Sequence, residues 1–441
     1  MLTRIRKKRL DKFLAILTLC LFSLALAIGS QTTVLQPVAL AEEPLNLEAL
    51  IKEARQNNPD ILAAKKRWEA SIARAPQAKS LDNPNLGLSF EKVPRGTLRL
   101  NKTMSQDRML SLSQMLPWFG KLSLKGKIAL LESQMAASEY KNKELTVINE
   151  VKNSYYDLFM HHKTIELNQE SLVFLETIAK IAEARYIVGE IPQEELFKIN
   201  LEMARLSNDI KNHEAEERAH QTHLNTLLNR EPEGLLGIHE FSLKEDASFN
   251  KDINLLYKLT LENQPELIIF SYAIEKNKYA KSLAKKSVFP DIMTGIVQRG
   301  IMSGAIGPWD LMLAFSVPLW FWTKQRYEIK EAVANLEEAE AVYQAMQNKA
   351  FAEVKDLAIS IEIAKNKINL YKSNLIPILE STIASSLSGF RSGKGDFMAL
   401  LDNLRMLIET KMEYYKALVE YNMSLADLER AVGINLTEVK K

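Results

Sequence analysis

The residues in this chain best suited to site chemistry are its histidines, because a neutral imidazole binds divalent ions and titrates near neutrality. His161, His162, His213, His220 and His223 all fall in helical stretches. His220 and His223 stand one turn apart on one face, a spacing compatible with shared ligation. The adjacent His161 and His162 point to different faces, and no carboxylate or cysteine completes a fixed set in the sequence. The expectation is therefore solvated or coiled-coil histidines, with no metal and no cofactor. Other chemistries find less support, since the chain has no phosphate-cradling glycine loop, nucleophile elbow or metal-hydrolase spacing, and it reads as no enzyme. Met109, Met115, Met293, Met302 and Met312 lie near strand-like segments and read as packing rather than as copper ligands.

Lysine and arginine nearly balance aspartate and glutamate, leaving a net charge of +2, and 46% of residues are hydrophobic. A nucleic-acid binder and a disordered chain are both excluded on that basis. Arg4, Arg6, Lys7, Lys8 and Arg9 precede the apolar run Phe13 to Ile28, and Ala39-Leu40-Ala41 stands before Glu42-Glu43. This pattern predicts a secretory signal peptide over residues 1–41, favoured over an uncleaved anchor by the small residues at the cut. The single cysteine, Cys20, lies inside that apolar run behind Leu19, which argues against lipidation. The mature chain would then lack disulfides and thiolate sites and be held by packing.

Two copies of one unit are legible in the rest. Asn57-Asn58-Pro59-Asp60-Ile61 answers Asn263-Gln264-Pro265-Glu266-Leu267, Pro84 answers Pro290, and Leu116-Pro117-Trp118 answers Val317-Pro318-Leu319. The expected division is a first repeat over 42–229, a linker over 230–252 and a second repeat over 253–441. Asn58 and Gln264 each precede a Pro at the first helical position, predicting helices that run to about Lys79 and Lys286. Two-fold alternation follows: Leu86, Leu88 and Phe90, then Leu110 and Leu112, and in the second copy Leu311, Leu313, Phe315 and Val317. The segment from Asp291 to Ile301 alternates less cleanly. Turn residues at Pro94-Arg95-Gly96 and from Gly304 to Pro308 make each copy a hairpin, over 84–117 and 289–318, with strands of about 8 to 11 residues. Trp118, Phe119, Trp309, Trp320 and Trp322 flank these segments as membrane-interface aromatics would.

After each hairpin the sequence predicts a very long helix, Lys121 to Tyr186 and Lys324 to Phe390, the second interrupted by Pro377. At ~1.5 Å per residue each is a rod near 100 Å long. Gly189 and Gly393 end the rods, and shorter helices (Pro192 to Asn229, Asp396 to Val432) return antiparallel. A chain with so few strands cannot close a barrel, and open edges in lipid leave backbone groups unpaired at several kcal/mol each. Identical chains must complete the sheet.

The duplicated half, the Asn-x-Pro starts, the segment Ser113-Gln114-Met115-Leu116-Pro117-Trp118-Phe119-Gly120-Lys121 and the Tyr/Phe-x-x-Gly tips together resemble the TolC-like outer-membrane efflux proteins, the outer membrane factors of tripartite pumps. The resemblance implies a mainly α chain with four β-strands and long antiparallel coiled-coil helices. A homotrimer of such chains forms a twelve-stranded β-barrel above an α-helical barrel. It implies a passive exit channel in the outer membrane of a Gram-negative bacterium, extending into the periplasm, with a periplasmic adaptor (membrane fusion protein) and an inner-membrane transporter of the RND type as partners. Outer-membrane lipid surrounds it, and no nucleic acid is involved. A type I protein-secretion duct of the same fold, or a periplasmic coiled-coil scaffold without a pore, is the alternative.

By the same resemblance Asp402 falls on a gate carboxylate, and Glu195 on an acid that pairs with a tip arginine. The arginine position itself is Gly395, with Lys394 one residue before it, and a second gate acid is replaced by Ala399. Arg185, Tyr186, Gly189, Phe390 and Gly393 are the expected adaptor-facing tips.

Overall fold

The computed structural model describes residues 46–93, 107–234, 252–301 and 307–436, with Leu236, Phe241 and Leu243. Residues 1–41, the Pro94-Arg95-Gly96 turn, Met302, Gly304 to Ile306 and most of the 230–252 linker lie outside that set.

One order of elements occurs twice. The first half runs α1 (Leu47–Asn57), α2 (Pro59–Lys79), β1 (Asn85–Phe90), β2 (Arg108–Leu116), α3 (Lys121–Ile187) and α4 (Gln193–Leu227). The second runs α5 (Ile253–Asn263), α6 (Pro265–Lys286), β3 (Asp291–Arg299), β4 (Trp309–Ser316), α7 (Gln325–Leu370), α8 (Ile376–Arg391) and α9 (Phe397–Val432).

The helix starts show where the copies part. Asn58 accepts hydrogen bonds from the backbone N–H groups of Asp60 at 2.9 Å and Ile61 at 3.3 Å. Its amide also donates to the Leu227 carbonyl at 2.9 Å, so one side chain caps the start of α2 and the end of α4. Gln264, one methylene longer, makes no side-chain cap, and its buried Oε1 has no partner. Sequence similarity at this position therefore overstates the structural match.

The long helix α3 is unbroken over 67 residues. Its counterpart is interrupted by a π turn, Tyr371–Leu375, immediately before the α8 segment that contains Pro377. Pro377 has no N–H, and its ring crowds the carbonyl one turn back. Widening the preceding turn carries the helix past that clash without ending it.

The four strands form one antiparallel sheet in the order β1-β2-β3-β4. Each copy contributes a hairpin, and β2 pairs with β3 from Met109–Arg299 to Leu116–Ile292, joining the copies. β1 has six residues, short of the expected eight, while β2, β3 and β4 have nine, nine and eight.

Three apolar clusters hold the helices. One joins α1, the middle of α3, the end of α4 and α9 through Leu50, Tyr155, Leu158 and Leu224. A second packs α5 and α7 on α9 around Leu256, Val354 and Leu418. The third lies at the end remote from the sheet, around Leu175, Ile199, Phe390 and Phe397. Between α3 and α9 sits a buried polar contact, Lys152 Nζ to Glu429 Oε2 at 2.6 Å, beside Asn149 donating to Asp427 at 2.8 Å.

Candidate functional site

Register puts apolar side chains on one face of the sheet. Leu86, Leu112, Ile296 and Leu311 form one cross-strand row, and Leu88, Leu110, Gln298 and Trp309 the next. Leu311 is 84% exposed and Leu86 72%, with Leu88, Leu110, Leu112, Leu313 and Phe315 also exposed. The opposite face is small and polar: Gly87-Ser111-Val297-Asp310 and Asn85-Ser113-Gly295-Met312. On that face Arg299 pairs with Asp310 at 2.6 Å. An isolated water-soluble sheet buries its apolar face, whereas this one presents it, as a barrel wall does to lipid. Among the described residues no helix is long and apolar enough to cross a membrane. The weaker alternation expected for β3 reflects Met293 and Val297 on the small-residue face, and Met109, Met115 and Met312 share that face.

The expected interface aromatics divide between the two ends of the strands. Trp309 opens β4 at one end and is exposed. At the helical end, Phe119, Trp320 and Trp322 are exposed. Trp118 stacks on Phe289 with centroids 5.5 Å apart, and its backbone N–H donates to Asp291 at 2.8 Å. Lys121 donates to the same carboxylate at 2.7 Å and to the Phe289 carbonyl at 2.9 Å, fastening the start of α3 to the second copy.

At the far end the two tips have the same backbone geometry. Gly189 (φ 81) donates to the Tyr186 carbonyl and Glu190 to Arg185, while Gly393 (φ 75) donates to Phe390 and Lys394 to Gly389. Both are Schellman motifs, whose left-handed residue favours glycine. Arg185 ties the tips together: it donates to the Phe390 carbonyl at 3.0 Å and to Glu190 at 3.1 Å, and its guanidinium lies 5.0 Å from the Phe390 ring centroid. Phe390 is fully buried and the Arg185 side chain only 13% exposed, so both look into the tip core. The exposed apolar residues at the first tip are Tyr186, Ile187 and Val188, of which the last two escaped the sequence reading. They follow Arg185 in the last turn of a helix, where apolar residues normally signal core.

Asp402 is 64% exposed and lies 3.7 Å from Arg405. Arg405 in turn grips Glu202 of α4 bidentately, at 3.1 and 2.6 Å, a link between copies that no sequence signal marked. That contact holds the guanidinium of Arg405 above its ordinary pKa, with burial opposing and Asp402 adding to the same effect. Glu195 is half-buried in the first turn of α4 and faces Lys198, which also pairs with Glu194 at 2.6 Å. Lys394 is exposed.

His161, His162, His213 and His220 lie half-buried along the packed pair α3 and α4. His161 of α3 meets Glu216 of α4 at 3.5 Å, and His213 reaches the same Oε2 at 2.9 Å. Glu216 is thus the carboxylate that the sequence failed to supply. The His161 and His220 rings lie 4.4 Å apart, whereas His223 turns to Ser154 at 3.3 Å, separating the pair that spacing had joined. Burial, then the neighbouring His220, moves His161 below its usual pKa, and burial raises Asp157 one turn away.

Comparison with known proteins agrees with this architecture. The sequence profile described as Outer membrane efflux protein matches twice, over residues 50–228 and 256–434, once per copy. The chain is 20% identical to Nodulation protein T of Rhizobium leguminosarum bv. trifolii over 411 residues, 90% of this chain and 87% of that one. It is 19% identical to the cobalt-zinc-cadmium resistance protein CzcC of Cupriavidus metallidurans, over 89% and 91% of the two chains. A solved structure of CusC, described in terms of transmembrane channel formation, superposes with a TM-score of 0.76 at 16% identity, covering 89% of this chain and 92% of that one. A solved structure of the outer-membrane channel OprN superposes with a TM-score of 0.73 at 17% identity, covering 88% of this chain and 89% of that one. With both copies matched, the chain belongs to the outer membrane efflux protein family.

Proposed function

We propose that this efflux channel protein works as a homotrimer, the outer-membrane exit duct of a tripartite pump in a Gram-negative cell, exported on the signal peptide over residues 1–41. The observation that carries the proposal is the sheet: it presents apolar side chains outward and, among the described residues, leaves one edge of β1 and one edge of β4 open. Edge strands in hydrocarbon are not tolerated, so neighbouring copies pair β1 with β4 and close the barrel. The helices continue the wall into the periplasm, with Trp118, Phe119, Trp320 and Trp322 at the inner interface and Trp309 at the outer one.

In this reading the tips meet a periplasmic adaptor through Tyr186, Gly189 and Gly393 together with Ile187 and Val188. Arg185 and Phe390 brace that surface from behind. Asp402, Glu195 and Lys394 line the narrow periplasmic entrance, where three copies of Asp402 attract cations. An inner-membrane transporter, of the RND type, selects the cargo and supplies the energy. Reconstitution into planar bilayers tests the proposal: discrete conductance steps support a duct. Protein that inserts into vesicles yet conducts nothing under any adaptor or voltage condition contradicts it.

A further inference from the structure

Outside the sheet and the tips, the structure gathers one further set of chemically capable side chains. His213, Glu216 and His220 stand at i, i+3 and i+7 on α4, one stripe of a helix. Across the groove, His161 of α3 enters between them: its Nδ1 is 3.5 Å from Glu216 Oε2, which is 2.9 Å from His213 Nδ1. One ligand atom from each of His161, His213 and Glu216 lies within 4.8 Å of the others. Donors held ~2.0–2.1 Å from a tetrahedral ion stand about 3.3 Å apart, so two edges of this triangle are already close to the required length. The ring of His220 lies 4.4 Å from that of His161, beside this triad rather than within it.

We propose that His161, His213 and Glu216 form a binding site for a divalent transition-metal ion of the zinc class, clamping α3 to α4 between the tip and the middle of the rod. The donor chemistry selects the ion: imidazole nitrogens with one carboxylate suit zinc and its neighbours, whereas calcium and magnesium take oxygen ligands. Access is open, because His161 and His213 are half-buried and Glu216 is exposed. His162 stands outside the set, 3.3 Å from Glu217 and against the Phe241 ring. The site is a property of the helix pair and is independent of which cargo the duct conducts.

Zinc titration of the full chain, purified in detergent with a tag that contains no histidine, tests the site. Calorimetry should give one saturable zinc ion per chain at micromolar affinity or tighter, and cobalt should give the visible bands of tetrahedral coordination. His213→Gln and His161→Ala should each weaken binding at least about tenfold, the scale of losing a metal-site partner, and should abolish the zinc-dependent rise in melting temperature. His223→Ala should leave binding unchanged. Absence of saturable zinc in the unmodified chain overturns the proposal, and so does binding that survives the combined loss of His161 and His213. Because the cobalt spectrum is read on the unmodified protein, a variant that misfolds does not shelter the idea.

Discussion

Replacing Arg185 with Ala should loosen both helical tips, although the residue belongs to only one of them. Its guanidinium makes one charge-assisted hydrogen bond across the copies to Phe390, one ion pair to Glu190 and one contact with the Phe390 ring. A hydrogen bond to a charged group contributes roughly 1.5–3 kcal/mol, and a partly exposed cation–π contact about 0.5–1. The Glu190 pair is solvent-screened and adds little. The Phe390 carbonyl retains the Gly393 N–H at 3.2 Å, so it is not orphaned and the lower end of the range applies. A loss of about 2–2.5 kcal/mol corresponds to roughly 30- to 70-fold more frequent local opening. Hydrogen exchange reads this directly: the Glu190 and Lys394 amides, which close the two Schellman motifs, should both lose protection by about that factor. Arg185→Lys, which keeps charge but not the fork, should fall between. Loosening confined to residues 186–190, with the second tip unchanged, would falsify the claim that one arginine braces both.

Other perturbations separate the parts of the account. Lys152→Met removes the cation paired with the buried Glu429, which keeps the Leu436 N–H, and should cost about 3 kcal/mol, seen as a melting temperature lower by several degrees; K152M with E429L should recover most of it. Gln264→Asn restores the cap that Asn58 provides in the first copy and should stabilise by about 1 kcal/mol; an unchanged or lower melting temperature would show that the local packing rejects the shorter side chain. Asp402→Ala should reduce cation preference in single-channel recordings, and unchanged selectivity would remove Asp402 from the conduction path.

What could be read from the sequence was set by local rules. The long α3 follows from a stretch free of proline and nearly free of glycine, and α2 and α6 end at Lys79 and Lys286 as expected. Strand alternation located the sheet and the face that carries Leu311 and Leu313. Pro377 announced an interruption, but whether the helix ends or widens depends on packing around it, and the π turn was not legible. Contacts between distant segments were the least accessible. The meeting of His161 with Glu216 depends on the register of α3 against α4, which no short window encodes. The same holds for Arg405 with Glu202 and for Arg185 with Phe390, each about 200 positions apart. Gln264 shows the opposite failure: a matching motif whose extra methylene removes the contact it promised.

Pairing of β1 with β4 between neighbouring chains is the most direct consequence of the open sheet. Within one chain these strands are separated by β2 and β3, about 14 Å at ~4.8 Å per step, beyond the reach of a disulfide. The sole cysteine of the sequence is Cys20, so introduced pairs dominate the chemistry. Leu86→Cys or Leu88→Cys on β1, combined in turn with Leu311→Cys or Leu313→Cys on β4, should on oxidation in native membranes give covalent species that end at three chains. If every pair leaves the membrane-inserted protein monomeric, the sheet is not completed by its own copies.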